Sequence, residues 1–123
     1  MAERSRLKAL PLLARTANTA SEQYRDDFSD SGIVYFNISA ASGTGGVKVQ
    51  IRGYDGDNNA VVFFESAVFI ATGVRTYVFG QGSWTAALGI TAIAQVPLPQ
   101  IFDVNVVVAD ASSYTYSVTV ETF

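Results

Sequence analysis

The chain has 123 residues, of which 49% are hydrophobic and 15% are charged, with a net charge of -3. This length and composition indicate one domain with a buried core and exclude an intrinsically disordered chain. The sequence contains no Cys and no His, which excludes disulfide frameworks, thiolate chemistry, Ser-His-Asp catalysis and ordinary zinc sites.

The N-terminal segment differs from the rest of the chain in charge and in pattern. Four cations against Glu3 give residues 1–15 a net charge of +3, which leaves -6 for the remainder of a chain whose total is -3. Pro11 argues against a continuous helix and against a signal-peptide core in the apolar run around it. We therefore predict an extended basic N-terminal arm over residues 1–19, in which residues 12–19 add to a sheet edge, and a single domain over residues 20–123.

The charge of this arm allows two interpretations. It is either a solvated tail or a docking segment that is attracted to an acidic neighbour. Four cations without interleaved aromatic residues, in a chain with a pI of about 4.7, make nucleic acid a poor partner. No stretch reaches the roughly 20 apolar residues of a membrane helix, so we expect a soluble protein that is not classically secreted and does not enter a membrane.

From Gly32 onward the sequence alternates between strand patterns and turn residues. Residues 47–52 alternate apolar and polar side chains, which is typical of a strand with one buried face. Residues 61–70 are apolar on both faces, which predicts either a central strand or a strand covered by a partner. The predicted strands are 33–41, 47–52, 61–70, 75–79, 101–109 and 114–122.

Turn residues separate these segments. Residues 42–46 and 54–59 are rich in Gly, Asp and Asn, and residues 84–95 have no strong period. Pro97 and Pro99 predict an extended loop, because neither has an N–H to donate to a sheet. About seven to eight short strands with regular turns predict an antiparallel β-sandwich of jelly-roll or immunoglobulin-like type, with a small barrel as the alternative.

One of these turns has the pattern with which a cation site begins. Residues 55–59, with the sequence DGDNN, carry alternating oxygen-bearing side chains like the start of a calcium-binding EF-hand loop. The pattern then fails, because Ala60 and Ser66 occupy positions that require Gly and Glu. We therefore predict a hairpin turn that uses Asp, Gly and Asn for their tolerance of positive φ, with no metal ion and no cofactor.

Aromatic residues offer a second candidate site. Trp84, Tyr54, Tyr114 and Tyr116 suit an aromatic platform of the kind that binds sugars in carbohydrate-binding modules. Tyr114 and Tyr116 share a strand face with the two valines that follow them, which favours packing in a core or an interface. No pair of carboxylates, hydroxyls or lysines is spaced as a catalytic pair, so an enzyme is the class that we expect least.

Several short motifs follow one another in order along residues 12 to 122. They are Arg15-Thr16, Gly32–Ile38, Val47–Asp55, Glu65–Ala67, Thr72-Gly73, Leu98-Pro99 ahead of Phe102–Val106, and Ser113–Val118. Their order resembles that of small β-rich capsid decoration (cement) proteins of tailed bacteriophages. The resemblance depends on this order and not on any single motif.

The resemblance implies a non-enzymatic virion structural protein without catalytic residues, made in the host cytoplasm and placed on the capsid exterior. Its partners would be the major capsid protein, whose neighbouring capsomers it bridges, and copies of itself in a homotrimer or other small homo-oligomer. The alternatives are another virion component, such as a tail or head-fibre protein, and a carbohydrate-binding β-sandwich module.

Two groups of residues receive roles under this hypothesis. Cationic and apolar residues near the N-terminus would dock on the capsid, and apolar residues of the segment 61–70 would join subunits. The capsid-docking arm comprises Arg4, Arg6, Lys8, Leu10, Leu12, Leu13 and Arg15. The subunit interface comprises Val62, Phe64, Val68 and Ile70.

Overall fold

The computed structural model describes residues 5–26, 29, 31–80, 90–94 and 96–123. These residues form ten β-strands and no helix. The strands pack as two sheets, so the predicted all-β sandwich is confirmed. The strands are β1 (Ser5–Arg15), β2 (Thr19–Ala20), β3 (Tyr24–Arg25), β4 (Gly32–Ala41), β5 (Val47–Tyr54), β6 (Ala60–Glu65), β7 (Gly73–Phe79), β8 (Ala92–Ala94), β9 (Ile101–Val108) and β10 (Tyr114–Thr122).

The order of the strands defines four sheet edges. The first sheet has the order β1-β10-β4-β7-β8, and the second has the order β2-β9-β5-β6, with β3 also paired to β9. Neighbouring strands are antiparallel except for β7 and β8, which are parallel. Within the described residues, β1 and β8 are the edges of the first sheet, and β6 and the short β2 and β3 are those of the second.

The core lies between the two sheets and follows from strict alternation along the strands. Successive side chains of a strand point to opposite faces, so every second residue of β4, β5, β9 and β10 reaches the interior. The close packing of such a core makes the sandwich a rigid platform for its edges and loops. The hydrophobic side chains with at most 1% of their surface exposed are Val34, Phe36, Ile38, Val47, Val49, Ile51, Phe79, Phe102, Val104, Val106, Tyr114, Tyr116, Val118 and Val120.

The N-terminal segment is part of this sandwich. β1 pairs with β10 from Ser5 to Arg15, and Leu10 lies opposite Val118 with 4% of its surface exposed. The segment predicted as an arm is therefore an edge strand of the first sheet from Ser5 to Arg15. Pro11 is accommodated because β1 is an edge strand and the register with β10 shifts between Leu10 and Leu13.

The segment 61–70 also differs from the prediction of one strand. β6 ends at Glu65, and the following residues run beside β5 in irregular form, with Ser66 and Phe69 hydrogen-bonded to the backbone of Val49 and Val47. The chain then crosses to β7 in the other sheet. The segment is thus the outer edge of its sheet, so the interpretation as a central strand is wrong.

Candidate interaction surfaces

Exposed apolar side chains are concentrated at two edges of the sandwich. On β1, Leu12 and Leu13 expose 53% and 59% of their surface, and we call them the leucine pair. The second group lies on β6 and on the segment that continues it, and we call it the β6 edge patch. Its members are Val61, Val62, Phe63, Val68 and Ile70. Exposed apolar side chains grouped along an edge in this way are typical of sites that a partner covers.

The predicted subunit interface is only partly exposed. Val62, Val68 and Ile70 expose 47%, 52% and 60% of their surface and belong to the β6 edge patch. Phe64 instead points into the sandwich, where its ring centroid lies 4.9 Å from that of Tyr77. Phe64 is therefore half-buried and packs against the core, since it lies opposite the buried Ile51 of β5.

A bulge in β6 gives the patch a pocket. Ile51 pairs with Phe64 and Arg52 pairs with Val62, which leaves Phe63 as an extra residue whose ring lies against Gly53. The resulting cavity has a volume of about 200 Å³. Its lining is mostly apolar and includes Gly53, Val61, Phe63, Pro99 and Ile101, with Asp55 and Gln100 adding polar groups. Sequence reasoning missed this pocket, although an isolated Gly inside a strand is the signal of a bulge or close approach.

The predicted docking arm divides into residues with different roles. Arg4 lies outside the described residues, and Leu10 is buried in the core. Arg6 donates through Nε to Glu121 Oε1 at 2.9 Å, and this carboxylate raises the pKa of the Arg6 guanidinium. Lys8 is exposed opposite Thr119, and within the described part of the chain no ion pair engages it.

Arg15 stabilises the irregular end of β1. Its guanidinium donates to the backbone carbonyls of Pro11, Leu13 and Tyr116 at 2.7, 3.3 and 3.0 Å. It also lies 4.7 Å from the ring centroid of Tyr116, a cation–π contact. These bonds join both sides of Leu12 and Leu13 to one guanidinium, so Arg15 supports the position of the leucine pair.

A cluster of polar side chains that hydrogen-bond to one another lies on the outer face of the second sheet. Asp103, with only 2% of its surface exposed, accepts from Arg52 at 2.8 and 2.5 Å and from the Tyr54 hydroxyl at 2.6 Å. Burial, with the hydrogen bond to Asp103, raises the pKa of Tyr54. Both carboxylate oxygens are committed to fixed donors, so the cluster holds β5 to β9 and offers no free base.

The DGDNN turn joins β5 to β6, as predicted for a hairpin. Asp55 Oδ1 accepts from the backbone N–H groups of Asp57 and Asn59 at 2.9 and 2.8 Å, and its Oδ2 accepts from the Asn59 amide. Hydrogen bonds from Asn59 therefore lower the pKa of Asp55. Asn58 adopts a φ of 63°, which short polar residues tolerate. Among the described residues, no three metal-ligating side chains cluster together.

The alternative of an aromatic platform loses two of its four members to the core. Tyr114 and Tyr116 are fully buried, and the Tyr114 hydroxyl accepts from the Gly46 N–H at 2.9 Å. Their interpretation as core residues is confirmed. Tyr54 belongs to the Asp103 cluster, and Trp84 lies outside the described residues.

Comparison of the chain with protein-family models, with curated proteins and with solved structures finds no match. The described residues contain no helix that is long and apolar enough to cross a membrane.

Proposed function

We propose that this protein is a non-enzymatic virion structural protein that binds the outside of a phage capsid and stabilises it by bridging capsomers. The observation that carries the proposal is the position of exposed apolar surface, with the leucine pair on one edge of a rigid sandwich and the β6 edge patch on another. A small protein with two such edges is suited to contact two neighbours at once, which can be capsid subunits or further copies of itself. The order of sequence motifs supplies the identity of the shell as partner.

The basic outer face of β1 supplies the shell contact in this proposal. Lys8 is exposed and Arg6 keeps 71% of its side chain exposed despite its pairing with Glu121. These charges lie on a chain whose residues after 15 sum to -6, so they steer this one edge towards an acidic surface. Attachment at several points multiplies weak contacts, and binding to the assembled shell alone stabilises the assembled state.

Co-sedimentation with emptied, assembled phage shells tests the proposal. Deletion of residues 1–15 is a poor variant, because it removes β1 and exposes the core around Leu10. Lys8→Gln leaves the sheet intact, and Ala111→Glu in the exposed turn before β10 is its control, since both change the net charge by about one unit. We expect saturable binding of the unchanged chain, weakened by Lys8→Gln and not by Ala111→Glu.

The salt dependence of binding separates the outcomes further. The difference between Lys8→Gln and the unchanged chain is expected at about 0.05 M salt and should shrink at about 0.3 M, where exposed charges are screened. Absence of saturable binding by the unchanged chain at either salt concentration would overturn the proposed function. Equal binding of the two variants would show that Lys8 does not contribute to docking.

A further inference from the structure

We propose that copies of this protein join head to tail, with the leucine pair of one copy seated on the β6 edge patch of the next. The inference rests on the proposed function, since it deepens the self-association expected of a decoration protein by naming both halves of the contact. It also moves Leu12 and Leu13 from the shell contact to the contact between copies. The contact is heterologous, because it joins two different surfaces.

The first step concerns the edge strand β6, whose described protection is a single bulge. Exposed sheet edges are normally blunted by short length, by Pro or by Lys. Among the edges that the structure describes, β1 carries Pro11 with shifts in register, β8 has three residues, and β2 and β3 have two each. β6 has six residues with Glu65 as its one charge, and Val61, Val62 and Phe63 stay exposed despite the bulge. We therefore expect a partner to cover this edge.

The second step is the position of the two surfaces. β1 pairs with β10 on the side of the sandwich where it also contacts β9. β6 and its continuation pack on the other side, where Phe64 meets Tyr77 and Phe69 lies 4.4 Å from the guanidinium of Arg75. Because the surfaces lie on opposite sides, one copy cannot cover its own patch. A head-to-tail contact covers both surfaces of every copy and closes into a ring when the rotation permits.

The third step is complementarity of shape and charge. The pocket at Val61 and Phe63 is apolar and open to solvent, and its volume of about 200 Å³ accommodates the isobutyl group of a leucine. The exposed carboxylates of Asp55 and Asp57 lie at this end of β6. On the opposite surface, the cation of Arg15 lies two positions from Leu13. A second copy thus offers an apolar side chain for the pocket and a positive charge for its acidic rim.

Sedimentation velocity of the full chain, over a range of concentrations, tests the inference. Leu13→Asp places a charge on the leucine pair, and Val61→Asp places one in the patch. Val74→Asp is the matched control, because Val74 is 61% exposed and belongs to neither surface. We expect an oligomer for the unchanged chain and for Val74→Asp, and monomers for the two interface variants with unchanged circular dichroism spectra. Leu12→Asp and Val62→Asp form a second pair if either variant misfolds.

Mixing the two interface variants gives the decisive result. The Leu13→Asp copy keeps an intact patch and the Val61→Asp copy keeps an intact leucine pair, so a 1:1 mixture should form a dimer that does not grow further. A symmetric contact between two β6 edges would instead leave Leu13→Asp as oligomeric as the unchanged chain. That result, or a monomeric unchanged chain at every concentration, would overturn the inference.

Shell binding is measured separately on the same samples. If the chain forms the oligomer but does not bind shells, the head-to-tail contact stands and the decoration function is excluded. A chain that binds shells while it stays monomeric would retain the decoration function and exclude the head-to-tail contact.

Discussion

The ring of Phe63 occupies the space that a side chain at Gly53 would need. A Cβ atom at Gly53 would lie 2.5 Å from Cε2 of Phe63 and 2.9 Å from Cβ of Pro99. These three residues come from β5, from the bulge in β6 and from the loop before β9. The absence of a side chain at one strand position thus allows the pocket wall and the closing loop to meet.

Gly53→Ala should therefore reduce stability by overpacking. We expect the free energy of unfolding to fall by about 1–3 kcal/mol, as measured by chemical denaturation. Gly56→Ala is the control, because a Cβ there meets no atom within 4 Å, and its effect should stay within about 0.5 kcal/mol. In a Phe63→Leu background the cost of Gly53→Ala should shrink, and an undiminished cost would contradict the assigned contact.

The integration of β1 into the sandwich predicts unequal costs for neighbouring leucines. Leu10→Ala should reduce the free energy of unfolding by about 2–5 kcal/mol, because Leu10 is buried in the core. Leu12→Ala should change it by less than about 0.5 kcal/mol, since Leu12 is exposed. The two variants should be compared at a concentration where the protein is monomeric. Similar small effects at both positions would indicate a detached arm in solution.

The buried carboxylate of Asp103 predicts a strong coupling to Arg52. Arg52→Met leaves that carboxylate without its cation and should cost about 3 kcal/mol. The double variant Arg52→Met with Asp103→Leu removes both charges and should recover most of the loss. A double-mutant cycle by denaturation measures the coupling, and simple additivity of the two single variants would exclude it.

Asp110 predicts a specific response to acid. The Gly45 N–H at 2.7 Å and the Ser112 N–H bond this carboxylate and lower its pKa in the folded protein. Its stabilising contribution is therefore complete above the unfolded pKa of about 3.9 and is lost as the pH falls through the lower folded pKa. Asp110→Asn should be less stable than the unchanged chain at pH 7, with the difference vanishing in strong acid.

Thermal unfolding of both proteins between about pH 2 and pH 7 measures this difference. A difference that stays constant across this range would show that the hydrogen bonds of the carboxylate do not depend on its charge.

Alternation of side chains made the central strands predictable. In β10 every second residue from Tyr114 to Val120 is buried, and the intervening residues are half-exposed, so the buried face follows directly from the sequence. The strand bounds of β4, β5, β9 and β10 accordingly agree with the predicted segments to within two residues. The predicted loop containing Pro97 and Pro99 likewise contains no strand.

Other features depend on partners that are distant in the sequence. Pro11 and the surrounding charges suggested an arm, whereas the partner that turns this segment into an edge strand lies in β10. Phe64 looked equivalent to Val62 in the sequence, and the bulge at Phe63 turned only one of them inward. The pocket required both that bulge and the approach of Pro99, neither of which has a local signal beyond Gly53.

The pairing of β1 with β10 has a consequence for the order of folding. Arg6 and Glu121, which pair across these strands, are 115 residues apart, and β10 lies between β1 and β4 in the first sheet. During synthesis β1 therefore has no partner in this sheet, and β4 has only β7, until residue 122 leaves the ribosome. Contacts of such long sequence separation favour slow folding, and the unpaired edges of β1 and β4 make the incomplete chain prone to aggregation until β10 is inserted.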